Sequence, residues 1–282
     1  MVLPATTTEI KEKSKWQINS IPAFCITLER RTDRWKRFQD QPGIQGLQVK
    51  RFVGVDGKTL DIKTDPRVAT LTKRNILTKS RRAHEELDSA GGVGCALSHI
   101  AIWQWMVDNN QNVCLVFEDD AVVPPNFIEK TNTCIETSFL KDPAKWDLWL
   151  LGGKWSDVSH IPGEKIVRIE AFVLFHGYII TLNTAKQLLQ NVYPIHAHID
   201  TWVSIHGYMT QLRIVGDPTI KLQQYQAATT DIQSKKECAI CNVSTHYEDD
   251  FVMVSKSDLY IARVSEIVCI VLIGYFIWKK CY

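Results

Sequence analysis

The chain has 282 residues, 45% of them hydrophobic and 23% charged, with a formal net charge of +2. That composition supplies a full core for one large domain, or for one domain with an appendage. A balance so near neutral gives no basis for nucleic-acid wrapping, which calls for a strongly basic stripe.

Residues 1–19 read as a polar, Lys-rich extension without the apolar segment of a secretory signal. Residues 23–28, AFCITL, form an apolar run that predicts a buried strand, and residues 30–40 a helix with Trp35 and Phe38 three apart. A second strand is expected over 49–55, closed by the turn pair Asp56-Gly57. Residues 58–90 are polar and basic and read as a long loop or lid. Gly91, Gly92 and Gly94 then open a helix whose stripe is Leu97, Ile100, Ala101 and Met106. Residues 113–117 are apolar throughout, as a central strand requires. Further expectations are a helix over 126–139, a strand over 146–151, extended chain over 166–175 and 178–182, a helix from Asn183 to Asn191 and one over 200–206. Strands alternating with helices indicate an α/β domain on a mostly parallel central sheet, assigned to residues 20–228.

Beyond it, residues 229–258 turn polar, like a stalk, and 259–282 contain the apolar run 267–278 closed by Lys279 and Lys280. That run reads either as a short C-terminal membrane anchor, slightly favoured, or as a core or oligomer-contact segment. Cys238 and Cys241 with His246 are half of a zinc site with no second pair, so a solvated linker is the default. Cys25, Cys95, Cys114 and Cys134 lie in or beside apolar runs, the setting of reduced thiols in a reducing compartment.

The densest chemistry is VCLVFEDDA, residues 113–121. An apolar strand delivers Glu118, Asp119 and Asp120 at its carboxyl end, where open α/β sheets bind ligands. Side chains alternate along a strand, so Glu118 and Asp120 share a side roughly 7 Å apart, suited to one hard divalent cation beside a diphosphate. The alternative is an acidic turn in water, but such a cluster repels itself without a cation. The helix start at Gly94, with Ser98 and His99 in its first turns, offers backbone amides to an anion, or is simply a turn before a packed helix. Arg30, Arg31 and Arg34 either grip phosphate or form a solvated basic face.

ITLERRTDRW, FVGVDG, GVGCALSH, LVFEDDAVVPPNF, WDLWLLG, HGYIITLNTAKQLL and PIHAHID occur in that order over residues 20–225. Together they resemble glycosyltransferase family 25, the lipopolysaccharide-biosynthesis and procollagen-galactosyltransferase-like group. The resemblance implies a GT-A-type nucleotide-binding fold, an inverting mechanism, a UDP-sugar donor (often UDP-galactose) and Mn²⁺, or Mg²⁺, as the ion. It puts Glu118, Asp119 and Asp120 on the metal motif. Arg30, Arg31, Arg34, Asp56, Gly94, Ser98 and His99 fall on the donor side. Asp200 matches an aspartate of the family and is the candidate base, against a plain helix N-cap. The implied partners are the UDP-sugar and a hydroxyl-bearing protein, glycan or lipid-linked saccharide. Thr27 and His176 depart from the family pattern, which leaves the donor sugar open. A sugar-nucleotide nucleotidyltransferase and a catalytically silent surface protein are the rival readings. Trp146, Trp149, Trp155 and Trp202 are expected mostly in the core, with a sugar platform the alternative.

Overall fold

Strand formation follows the apolar runs. The computed structural model describes residues 16–81, 83, 85–225 and 232. The expectations for residues 1–15, for the stalk and apolar tail, and for Cys238, Cys241 and His246 lie outside the described residues. In chain order come β1 (Ala23–Leu28), α1 (Thr32–Gln39), β2 (Val49–Gly54), α2 (Thr70–Thr78), α3 (Ala90–Asp108) and β3 (Val113–Glu118). Then follow β4 (Ala121–Val122), α4 (Phe127–Thr137), β5 (Leu148–Leu150), β6 (Lys154–His160), β7 (Val167–Val173) and β8 (Gly177–Thr181). The last elements are α5 (Leu182–Leu189), α6 (Ile199–Thr210), β9 (Ile214–Gly216) and β10 (Gln223–Gln224).

An 8-stranded sheet runs in the order β2-β1-β3-β8-β5-β9-β7-β6. β1 is parallel to β2 and β3, and β5 to β9, whereas β8 is antiparallel to β3 and β5, and β7 to β9 and β6. The α/β class holds, but the sheet is mixed rather than mostly parallel. Two places make it so: β8 runs against both β3 and β5 in the middle of the sheet, and β6 and β7 form a hairpin around Gly163 at φ +78°, a connection open only to antiparallel neighbours. The sequence reading missed β6 because its residues are mostly exposed and carry no apolar alternation.

Alternation along the central strands divides the core in two. Cys114 and Val116 of β3 and Tyr178 and Ile180 of β8 face the layer of α3, α5 and α6. Leu115, Phe117 and Ile179 face the opposite layer, with Phe38 of α1, Phe127 of α4 and the indoles of Trp146 and Trp149. Trp146, Trp149 and Trp202 are buried in the core, and Trp155 is partly buried with Lys221 over its ring. Among the described residues Cys25, Cys95, Cys114 and Cys134 are free thiols, and no helix is long and apolar enough to cross a membrane.

Three local expectations need correction. Residues 58–90 are not one loop: they contain α2, and bridges Val68–Ile195 and Glu86–Ala197 fasten the segment to the chain ahead of α6. α3 starts at Ala90, capped by Ser89 Oγ accepting from the Gly92 amide, so Gly94 lies a full turn inside the helix. Thr181, not Asn183, caps α5 through its hydroxyl. In both helices the capping oxygen is on the residue that ends the preceding extended chain, where the backbone is still non-helical.

Candidate active site

The site is built where β1, β2 and β3 end beside the start of α3. Two glycines allow that approach. A Cβ on Gly57 would stand 2.1 Å from the Ala90 carbonyl oxygen, and one on Gly94 would stand 2.4 Å from that of Val55. The turn after β2 therefore presses directly on α3, and Ser98 seals the contact. Its hydroxyl donates to the Gly94 carbonyl at 2.7 Å and accepts from the Val55 amide at 2.8 Å. Gly94 and Ser98 thus serve this packing; the Gly94 amide, inside the helix, is not one of the unpaired donors of its first turn. Gly91 is the α3 glycine that lines the cleft, together with Gly57.

A first cleft of about 560 Å³ opens here. Ile26, Leu28 and Val55 give it an apolar floor, and Arg34, Asp56, Glu118, Asp119 and Asp120 give it charge. Arg30 Nε donates to Asp56 at 2.6 Å, the main reason the Asp56 carboxyl lies below its ordinary range. Arg31 binds Asp33 through paired contacts of 3.0 Å on α1. Arg34 reaches 3.3 Å from Asp119 Oδ1 with both side chains largely buried, and Arg37 donates to the Asp119 carbonyl at 3.2 Å. Of the three arginines picked out from sequence, Arg34 is the one that reaches the acidic cluster.

A second cleft of about 790 Å³ lies across the acids. It shares Cys95, Glu118 and Asp120 with the first and adds Leu174, Phe175, His198, Asp200 and Gln224. Glu118 and Asp120 therefore stand on the wall between two cavities. Asp119 lines the first alone among the described linings. Asp120 Oδ2 accepts from Gln224 Nε2 at 3.0 Å, while its Oδ1 is buried without a partner. Burial first, then the charges of Glu118 and Asp119, push the Asp120 carboxyl up to about 7. Burial, then Asp200 and Asp119, push Glu118 up to about 8. Burial also raises Asp119, with Arg34 opposing. A buried acceptor atom without a donor, in a pair of carboxyls that resist ionising together, fits a hard cation.

Asp200 is the second residue of α6, not its N-cap, which is His198. Its Oδ2 accepts from the Leu174 amide at 2.7 Å and its Oδ1 from the Thr201 amide at 2.7 Å. Leu174 has a left-handed backbone, φ +71°, a strained state for a leucine that the carboxylate helps to hold.

His99 does not face either cleft. It is fully buried, with Nε2 3.1 Å from Glu118 Oε1 and Nδ1 2.9 Å from the Tyr178 hydroxyl. Burial pushes its pKa down to about 3, so the contact with Glu118 is a hydrogen bond from a neutral ring rather than an ion pair. Cys95, His99 and Glu118 bring their ligand atoms within 4.8 Å of one another. Cys95, Tyr178 and Gln224 were not anticipated from sequence. Only Cys95 had a signal, its position four residues before His99 on one helix face.

A family model described as glycosyltransferase family 25 (LPS biosynthesis protein) matches residues 20–203. The chain belongs to glycosyltransferase family 25. A glycosyltransferase 25 family member of Anopheles gambiae is 33% identical over 186 residues, covering 63% of this chain and 30% of that one. Procollagen galactosyltransferase 1 of Danio rerio is 30% identical over 173 residues, 59% of this chain and 28% of that one. Procollagen galactosyltransferase 2 of Homo sapiens is 29% identical over 176 residues, 59% and 27% respectively. The match with family 25 thus spans no more than 30% of the length of these relatives, and the matched part contains both clefts except for Gln224 and Ile232.

Proposed function

We propose that the chain is an inverting hexosyltransferase of the GT-A type. It moves a sugar from a UDP-sugar to a hydroxyl on a protein, glycan or lipid-linked saccharide. Galactose is favoured because the procollagen relatives are named galactosyltransferases. The observation that carries the reading is that Glu118 and Asp120 line two clefts at once, with Asp200 in the second.

In this reading the first cleft takes the donor. Ile26, Leu28 and Val55 offer an apolar bed for a planar base, and Arg30 and Asp56 lie at its side. Arg34 supplies positive charge to the diphosphate, held in place by Asp119. Asp119 is therefore a partner for Arg34, and Glu118 and Asp120 are the pair that would hold Mn²⁺ or Mg²⁺. Such an ion offsets negative charge on a departing nucleoside diphosphate. The acceptor enters the second cleft, and Asp200 takes the proton of its hydroxyl as the oxygen attacks the anomeric carbon from the face opposite the nucleotide. The Asp200 oxygens already accept from backbone amides, which fixes the carboxylate in position and leaves further lone pairs for that proton.

The test is release of UDP from a panel of UDP-sugars with Mn²⁺, with and without hydroxyl acceptors. Acceptor-stimulated UDP release, absent in EDTA, is expected. Release of pyrophosphate instead would overturn the reading in favour of nucleotidyl transfer.

A further inference from the structure

Cys95, His99 and Trp103 follow one another at i, i+4 and i+8, so they form a single stripe on α3. β3 and β8 are antiparallel neighbours, with Val116 opposite Tyr178 and Phe117 opposite Gly177. That register puts Glu118 and Tyr178 on the sheet face that this stripe covers. The result is a chain of polar groups inside the core: Trp103 Nε1 lies 3.1 Å from the Tyr178 hydroxyl, that hydroxyl 2.9 Å from His99 Nδ1, and His99 Nε2 3.1 Å from Glu118 Oε1.

The direction of every bond in it follows from what each group can do. An indole N–H donates only, so the Tyr178 oxygen accepts from Trp103. The Tyr178 hydrogen then needs an acceptor, and among the described residues the other group in reach is His99 Nδ1. A neutral imidazole that accepts at Nδ1 carries its hydrogen on Nε2 and donates it to Glu118 Oε1. The reverse arrangement, with Nδ1 donating, would leave the tyrosine hydrogen unpaired in the core, a costly state. Rotating the ring would put carbon where both nitrogens now bond. Phe175 blocks that motion, stacked on Tyr178 at 3.9 Å and 5.2 Å from the His99 ring.

We infer that Trp103 and Tyr178 lock His99 as the Nε2–H tautomer, which makes it a positioning residue holding Glu118 by Oε1 and leaving Oε2 for the cation. Cys95 Sγ also approaches Oε1, at 3.9 Å, so the described donors to this carboxyl converge on one oxygen. The same lock withholds the Nε2 lone pair from any ion, so Cys95, His99 and Glu118 do not act together as a three-ligand site for a soft metal. The inference about the cation rests on the proposed role of Glu118; the tautomer does not.

The experiment is long-range ¹H–¹⁵N correlation NMR on the full chain labelled in histidine, with His99→Gln identifying the resonance. A neutral ring protonated at Nε2 is expected. An Nδ1–H ring or an imidazolium would overturn the inference. Mn²⁺ affinity, measured with UDP present, supplies the second readout. Tyr178→Phe should mix the tautomers and weaken Mn²⁺ by about 10–100-fold, the usual cost of losing an outer partner of a metal ligand. His99→Ala should do the same, whereas His99→Gln, which keeps an N–H near Glu118, should stay within a few-fold of wild type. Wild-type Mn²⁺ affinity in a folded Tyr178→Phe protein would overturn the positioning role. If the wild-type chain binds no Mn²⁺ while the tautomer is as stated, it is the proposed function that fails.

Discussion

The two clefts share the Glu118–Asp120 wall but differ in how their charge is balanced. In the first, acids are matched by arginines: Asp56 by Arg30, and Asp119 by Arg34. Among the described residues, the lining of the second contains Glu118, Asp120 and Asp200 and no lysine or arginine. A cavity whose acids are matched by arginines suits an anion, and one whose described lining gathers three carboxylates beside His198 suits a cation or a proton. One strand end can therefore supply both sides of a transfer reaction, because in the turn that follows β3 Asp119 pairs with Arg34 while Asp120 joins Glu118 on the shared wall.

Four changes should break or sharpen that contrast. The largest effect is expected from Asp120→Asn, which removes charge from the wall itself. Turnover should fall by about a thousandfold or more, the scale of a few kcal/mol of lost charge stabilisation, with the circular dichroism unchanged. Asp200→Asn tests the second cleft alone. Its amide oxygen can still accept from Leu174, so the turn should persist, while kcat drops by about a hundredfold or more and the donor KM stays put. A kcat near wild type would reduce Asp200 to a clamp for the left-handed turn. Arg34→Ala tests the first cleft and leaves Asp119 buried without its guanidinium. Unfolding titrations should show a loss of about 3 kcal/mol, together with a raised donor KM.

The smallest effect is a pH slope in the cation-free protein. The Glu118 carboxyl is raised from 4.5 to about 8 and Asp120 to about 7, so over that window the folded state holds more protons than the unfolded one. Stability then falls as pH rises. His99, lowered from 6.5 to about 3, acts oppositely, and its cost grows as pH drops through 6.5. The two oppose each other below pH 6.5, and the carboxyls dominate above it. Melting temperatures in EDTA should decline from about pH 6.5 to 8, and Mn²⁺ with UDP should flatten the decline. A melting temperature that rises over that range would contradict the assigned burial.

How far the sequence spoke for itself varies with the kind of signal. β1 and β3 are continuous apolar runs, and the acids after β3 follow directly from where that run stops. The family pattern carried Asp200, which composition alone would have left as a helix residue. β6 was silent, since an exposed hairpin strand has neither run nor alternation. α2 was hidden because its basic surface resembles a loop and its anchoring is tertiary, through Val68 and Ile195. Gly94 is ambiguous in sequence because glycines mark close approach without saying to what; here the neighbour is the Val55 carbonyl. His99 reads from the family pattern as a donor-side residue but sits in the core, since Tyr178 and Glu118, its two partners, come from strands far apart in sequence.

The most direct test of the central claim is binding of Mn²⁺ followed by electron paramagnetic resonance, with and without UDP, in wild type and Asp120→Asn. Free Mn²⁺ signal should fall on adding wild-type protein with UDP, and recover in the variant. Equal Mn²⁺ binding by both proteins, or none by the wild type at millimolar UDP, would contradict the assignment of Glu118 and Asp120 as the cation's ligands.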